Sequence, residues 1–208
     1  MKTKINKTSL KGGILMLLLA FLPTIARAQS YQQPHSIQEA INTPVIKDAK
    51  SRNAIANYQV SIGRGLYEKS NLYINMVRED EVIMISIPAD LLFGPNSTEL
   101  HHDAYKVLRQ FTGFLKAPDF YRMALAMYHD DTGSPNYCKE ITDKRIQSVH
   151  DWFLAHSSAR HIYQFSCGNS NPLLPNNSME NRRQNRRLEI YIIPGESMIE
   201  QAKKGLIK

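Results

Sequence analysis

Two apolar runs, Tyr121–Tyr128 and Ile162–Cys167, bracket a stretch whose apolar residues recur every third or fourth position. Between them, Ser134-Pro135 supplies an N-cap followed by proline at the first helical position, so a helix is expected over roughly 135–156. Cys138, Ile141, Arg145, Val149 and Trp152 share one face of that helix. Upstream, Leu72–Arg78 and Val82–Ile87 are β-rich runs joined by Glu79-Asp80-Glu81, which predicts a hairpin over 72–87. Tyr105, Leu108, Phe111 and Leu115 predict a helix over 102–116, and Leu188–Ile193 reads as a last strand. Strands and helices thus alternate with long crossovers. That order predicts an α+β fold, a two-layer β/α/β/α/β-β arrangement with helices on one face of a mixed sheet.

Arg145 is out of place on this pattern. A guanidinium amid an apolar stripe needs compensation, because burying an unpaired charge costs several kcal/mol or more. The nearest carboxylates in sequence lie in the loop that opens the helix, Asp130-Asp131-Thr132-Gly133-Ser134. An acid and an arginine brought together this way either neutralise each other or jointly hold a ligand that carries both charges.

The first residues set the compartment. Lys2, Lys4, Lys7 and Lys11 precede an apolar run from Gly12 to Ile25, and Ala26-Arg27-Ala28 gives a small-x-small cleavage pattern before Gln29. Residues 1–28 are expected to be a secretory signal peptide; the apolar run is too short to span a membrane. No cysteine lies at the cleavage point, so lipid attachment there is not expected. Removing 28 of 208 residues leaves 180, enough for one well-buried domain plus an arm. The formal charge of +7 falls as well: 26 Lys and Arg less the leader's five leaves 21 against 19 acids, a balance of +2. Nucleic-acid binding loses its support. Residues 29–70 are expected to be an arm or linker with a helical stretch at 53–69 interrupted by Gly63 and Gly65, and 195–208 a tail with a short helix at 197–204. Cys138 and Cys167 are a candidate disulfide in an oxidising compartment, with two buried thiols as the alternative.

Four segments carry a resemblance to a known family over about residues 82–194. Leu92-Phe93 with Ser97-Thr98-Glu99-Leu100 is similar to a strand-exit motif, and Asp130–Ser134 to an Asp-x-Thr-Gly-Ser loop. Ile141-Thr142-Asp143-Lys144-Arg145 is similar to Leu-Ser-x-x-Arg, and residues 181–190 to Gly-Arg-x-x-Asn-Arg-Arg-Val-Glu-Ile. Together they resemble the OmpA-like C-terminal domain family, which binds peptidoglycan. The resemblance implies an OmpA-like domain over 71–194, and a diaminopimelate side chain of the peptidoglycan stem peptide held by Asp130 and Arg145. The end of that side chain carries an ammonium and a carboxylate on one carbon. Arg145 would take the carboxylate as a two-pronged hydrogen bond, which lysine cannot reproduce, and Asp130 would accept from the ammonium. Backbone N–H groups at Thr132, Gly133 and the helix start would add donors, and Asn185 and Arg186 match positions near the site. Met127-Tyr128-His129 replaces the family's Gly-His-Thr, Cys138 its asparagine, and Asn181 its glycine. These departures fall on the rim and leave the charge pair intact.

The resemblance therefore implies an exported, non-catalytic wall-binding protein, periplasmic or associated with the outer membrane, that links wall to envelope. Neither cofactor nor metal is expected; His129-Asp130-Asp131 and His101-His102-Asp103 lack a compact ligand spacing. Nothing resembles a nucleophile elbow, a phosphate loop or a paired-carboxylate pattern. The alternative is a periplasmic scaffold that keeps the fold, has lost peptidoglycan affinity, and holds an envelope partner through residues 29–70.

Overall fold

In the computed structural model, which describes residues 33–117, 119–157 and 162–207, five strands form one sheet. They are β1 (Tyr73–Val77), β2 (Val82–Pro88), β3 (Tyr121–Tyr128), β4 (Ile162–Gly168) and β5 (Arg187–Pro194). Their order is β1-β2-β5-β3-β4, with β3 and β4 parallel and every other neighbour antiparallel. The leader expected over residues 1–28 lies outside the described residues.

Strand alternation divides the sheet into two faces. Register puts Ile85 of β2 beside Ile190 of β5, and Ile190 beside Leu125 of β3, all fully buried in the main core. Helix α5 (Pro135–His156) covers that face through Ile146, Val149, Trp152 and Phe153. Ala124, Ala126, Tyr191 and Ile193 point to the opposite face, where a second cluster forms with Ala40 and Ile41 of the short helix α1 (Ile37–Asn42).

Helix α2 (Ala49–Lys69) runs unbroken through Gly63 and Gly65. Gly63 packs closely on β1: a Cβ there would sit 3.1 Å from the Met76 Sδ, so that side chain would have to give by a few tenths of an ångström. Ile46 and Ile55 join Met198, Ile199 and Ala202 of helix α7 (Glu196–Lys203) in a third cluster. Segment 37–69, read from sequence as part of an arm, thus supplies side chains to buried clusters on both faces. The hairpin turn holds Arg78, Glu79 and Asp80 at positive φ (52°, 51° and 66°). Arg78 ties it down, pairing with Glu81 at 2.7 Å and donating to the Ile41 carbonyl at 2.7 Å.

Two regions differ from the expected pattern. The stretch 102–116 is not one helix but α3 (Ala104–Leu108) and α4 (Thr112–Leu115), joined by a 3₁₀ turn at Arg109–Phe111. A short helix, α6 (Met179–Asn185), also precedes β5. Its sequence has no apolar stripe, and its start is fixed by Ser178, whose Oγ accepts from the Asn181 N–H at 3.0 Å.

Gly195, between β5 and α7, sits against backbone: a Cβ would lie 2.3 Å from the Asp119 carbonyl oxygen. Backbone cannot swing aside as a side chain can. Gly195→Ala is expected to cost about 2–3 kcal/mol, measured as a lower midpoint of urea unfolding; an unchanged midpoint would show that the junction yields.

Candidate functional site

The loop after β3 is fastened at both ends. The His129 N–H donates to the Gly168 carbonyl of β4 at 2.6 Å, and the Ser134 Oγ caps α5 by accepting from the Tyr137 N–H at 3.2 Å. Gly133, at φ +98°, turns the chain against the Tyr137 ring, where a Cβ would meet Cδ1 at 2.7 Å. Within the loop the Thr132 N–H donates to Asp130 Oδ1 at 2.8 Å, and the buried Cys138 thiol faces the Asp130 and Thr132 carbonyls at 3.5 Å.

This loop forms one wall of an open cleft of about 380 Å³. The turn Phe93–Asn96 forms another, and α5 and the end of α6 supply Arg145 and Arg186. Asp130, Thr132, Arg145 and Arg186, all singled out from the sequence, line it together with Asp90, His101 and His129. Gly133 shapes the loop without lining the cleft. Asn185 does not reach it: its buried carboxamide accepts from the Leu173 and Leu174 N–H groups at 2.8 and 3.0 Å and donates to the Leu174 carbonyl at 2.8 Å. Its place near the site is structural; it holds the 171–177 loop.

The charges are paired differently from the sequence expectation. Among the described residues Arg145 has no carboxylate partner. Its Nε donates to the Ser97 carbonyl at 2.8 Å, its Nη2 to the Gly94 carbonyl at 3.5 Å, and its guanidinium lies 4.9 Å from the centre of the Phe93 ring. It is 4% exposed. Burial pulls its pKa down from the ordinary arginine value, opposed by Tyr137 and reinforced by Arg186. Asp130 instead bonds through Oδ2 to Arg186, whose guanidinium covers it so that Asp130 has no exposed surface.

Arg186 belongs to a set. Arg182 of α6 pairs with Asp131 at 2.9 Å and Arg183 of α6 with Asp90 at 2.6 Å, so the two acids that line the cleft, Asp90 and Asp130, and the neighbouring Asp131 each have an arginine. Among the described residues lining the cleft, Arg145 is the arginine without a carboxylate. Arg182 and Arg183 fall within the 181–190 motif, but the α6 sequence has no apolar stripe to show where the helix docks or which acids they meet; the Ser178 cap was the signal for the helix itself. Burial alone would raise the Asp130 carboxyl, but the Thr132 backbone and hydroxyl, Arg186 and His129 outweigh it and hold the pKa below its ordinary value. A carboxyl depressed on folding contributes stability present above its unfolded pKa and lost as pH falls through the folded one. Asp130 is therefore held in its charged form at neutral pH.

The candidate disulfide is not formed: Cys138 and Cys167 are both free. Ser166 Oγ bonds Thr142 of α5 at 2.7 Å, so Cys167, the next residue on β4, points to the other face, away from Cys138. Burial pushes both thiols up.

No known family profile matches the chain. It is 31% identical over 103 residues to the peptidoglycan-binding protein ArfA of Mycobacterium tuberculosis strain H37Rv, which covers 49% of this chain but only 32% of that protein. It is 30% identical over 118 residues to the outer-membrane lipoprotein YfiB of Pseudomonas aeruginosa, covering 56% of this chain and 70% of YfiB. Among solved structures, a putative MotB-like protein from Desulfovibrio vulgaris superposes with a TM-score of 0.53 at 25% identity, over 69% of this chain and 89% of that one. The cell wall anchor of the type VI secretion system of P. aeruginosa shares the fold, with a TM-score of 0.53 at 19% identity over 69% and 99% of the two chains. With the four motifs meeting at one cleft of the expected sheet, and YfiB matched over most of its length, the chain belongs to the OmpA-like domain family.

Proposed function

We propose that this protein is an exported, non-catalytic binder of peptidoglycan whose cleft takes the diaminopimelate residue of the stem peptide, attaching the cell wall to the outer membrane or envelope. One observation carries this reading. Arg145 is a buried guanidinium with no carboxylate among the described residues, on the wall of an open cleft. Two backbone carbonyls and the Phe93 ring offset part of the cost of burying this charge, and a ligand anion would supply the countercharge that they lack. With Nε held by Ser97 and Nη2 reaching the Gly94 carbonyl, the other Nη hydrogens are available to a carboxylate as charge-assisted donors. Asp130 lies across the same cleft, and a ligand ammonium would share or displace Arg186 there. The names of ArfA and of the type VI secretion anchor support the same ligand class.

The alternative scaffold role predicts the same fold with an idle cleft. Co-sedimentation with insoluble peptidoglycan separates the two. Wild-type protein is expected in the pellet and Asp130→Ala in the supernatant, with wild-type binding weakening as salt rises beyond about 0.15 M. Equal sedimentation of both proteins would remove Asp130 from the site. Wild type left in solution would favour the scaffold.

A further inference from the structure

A second groove, of about 600 Å³, adjoins the cleft. The chain from Pro88 to Leu91 lines both: Ala89 and Asp90 face the cleft, while Pro88 and Leu91 face the groove. The Asp90–Arg183 ion pair forms the ridge between them, Asp90 on the cleft side and Arg183 on the groove side. Tyr73, on the edge strand β1, is 63% exposed, and Leu91 and Leu173 add apolar surface, also exposed. Asn71, Ser86 and Gln184 bring polar groups to the same lining. The groove is preformed, because the fully buried Asn185 fixes the Leu173–Leu174 wall by three hydrogen bonds.

We infer that this groove holds the glycan strand of peptidoglycan, with Tyr73 as the stacking platform for an N-acetylated amino sugar. The inference rests on the stem-peptide reading of the cleft. A pyranose ring offers an apolar C–H face and a polar edge of hydroxyl and acetamido groups, and this groove pairs an exposed aromatic ring and leucines with amide and hydroxyl side chains. Buried, oriented binding needs that combination of apolar surface and a few convergent polar groups. Continuity supplies the rest. Two amino acids, one linked through its γ-carboxyl, and a lactyl ether separate diaminopimelate from its sugar; at roughly 3.5 Å for an ordinary extended residue and more for the γ-linked one, the tether spans on the order of 10 Å or more. A stem peptide seated at Arg145 can therefore lay its sugar on the adjoining groove, which shares the 88–91 chain with the cleft. An apolar peptide partner would gain little from the amide and hydroxyl rim.

Calorimetric titration of the purified protein tests this with two synthetic ligands: the tripeptide L-Ala-γ-D-Glu-meso-diaminopimelate, and the same tripeptide bearing its N-acetylglucosaminyl-N-acetylmuramyl disaccharide. Wild type is expected to bind the disaccharide form about tenfold more tightly. Tyr73→Ala is expected to abolish that difference while leaving the tripeptide affinity unchanged. Leu91→Ser should reduce it independently. If wild type binds both ligands equally, the groove is not a glycan site and the cleft reading stands. If both variants keep the full difference, the groove assignment is likewise overturned. If wild type binds neither ligand, both readings fall.

Discussion

Arg145→Met is expected to abolish co-sedimentation with peptidoglycan while changing the melting temperature little. Two charge-assisted hydrogen bonds to a ligand carboxylate are worth about 1.5–3 kcal/mol each, so their loss should weaken binding by about a hundredfold or more. Stability should respond differently. The substitution leaves the Ser97 carbonyl without its donor, yet it also removes a desolvated charge that no carboxylate among the described residues offsets. The two effects oppose each other, and a methionine of similar length keeps the packing on Phe93. Binding lost with stability kept marks a residue retained for a ligand. The reverse outcome, normal sedimentation with a large drop in melting temperature, would make Arg145 a structural clamp on the 94–97 turn. Arg145→Lys should fall between, because it keeps the charge and loses the planar fork.

Glu189→Ala should produce the largest loss of stability. Glu189 and Arg187 sit two residues apart on the central strand β5, paired at 2.7 Å and both almost wholly buried. Arg187 also lies 3.9 Å from the centre of the Tyr128 ring and donates to the Asn185 and Asn171 carbonyls at 3.1 and 3.2 Å. Glu189 accepts from the Tyr191 hydroxyl at 2.6 Å. Burial, then the Glu189 charge, pushes the Tyr128 and Tyr191 hydroxyls up, so both remain protonated donors. Removing the carboxylate strands a buried guanidinium, at a cost of about 3–5 kcal/mol, or roughly 6–20 °C in melting temperature for a chain of this size. Glu189→Gln should recover part of the loss by keeping the hydrogen bonds. Calorimetry on the three proteins decides it; a Glu189→Ala midpoint equal to wild type would mean that the pair contributes nothing net.

The strongly patterned elements were legible from sequence. The Tyr121–Tyr128 run and the Ser134-Pro135 start match β3 and α5, because a buried strand and a capped amphipathic helix each impose their own period. Gly63 misled because local propensity says a glycine weakens a helix, whereas here α2 is held by its packing, with Gly63 buried close to Met76 of β1. Helix α6 was hidden because it buries almost nothing except Asn185 and is held by ion pairs, which leave no periodicity. The same gap affected the candidate site. Asp130, Thr132, Arg145 and Arg186 could be placed at one cleft, but the partner of each charge could not. That Arg186, and not Arg145, takes Asp130 depends on where α6 docks, more than 50 residues along the chain from the acid.

The position of β5 has a consequence for biogenesis. It is the last strand in sequence yet lies in the middle of the sheet, hydrogen-bonded to β2 on one side and β3 on the other. Until residues 187–194 emerge, the nascent chain owns only a hairpin and a parallel pair with no shared backbone ladder. Its core contacts are separated by long stretches of sequence, which slows collapse to the native state. Such a polypeptide cannot close its sheet until its final strand is available, and on the export route proposed above it would stay threadable through a translocation pore for nearly its whole length.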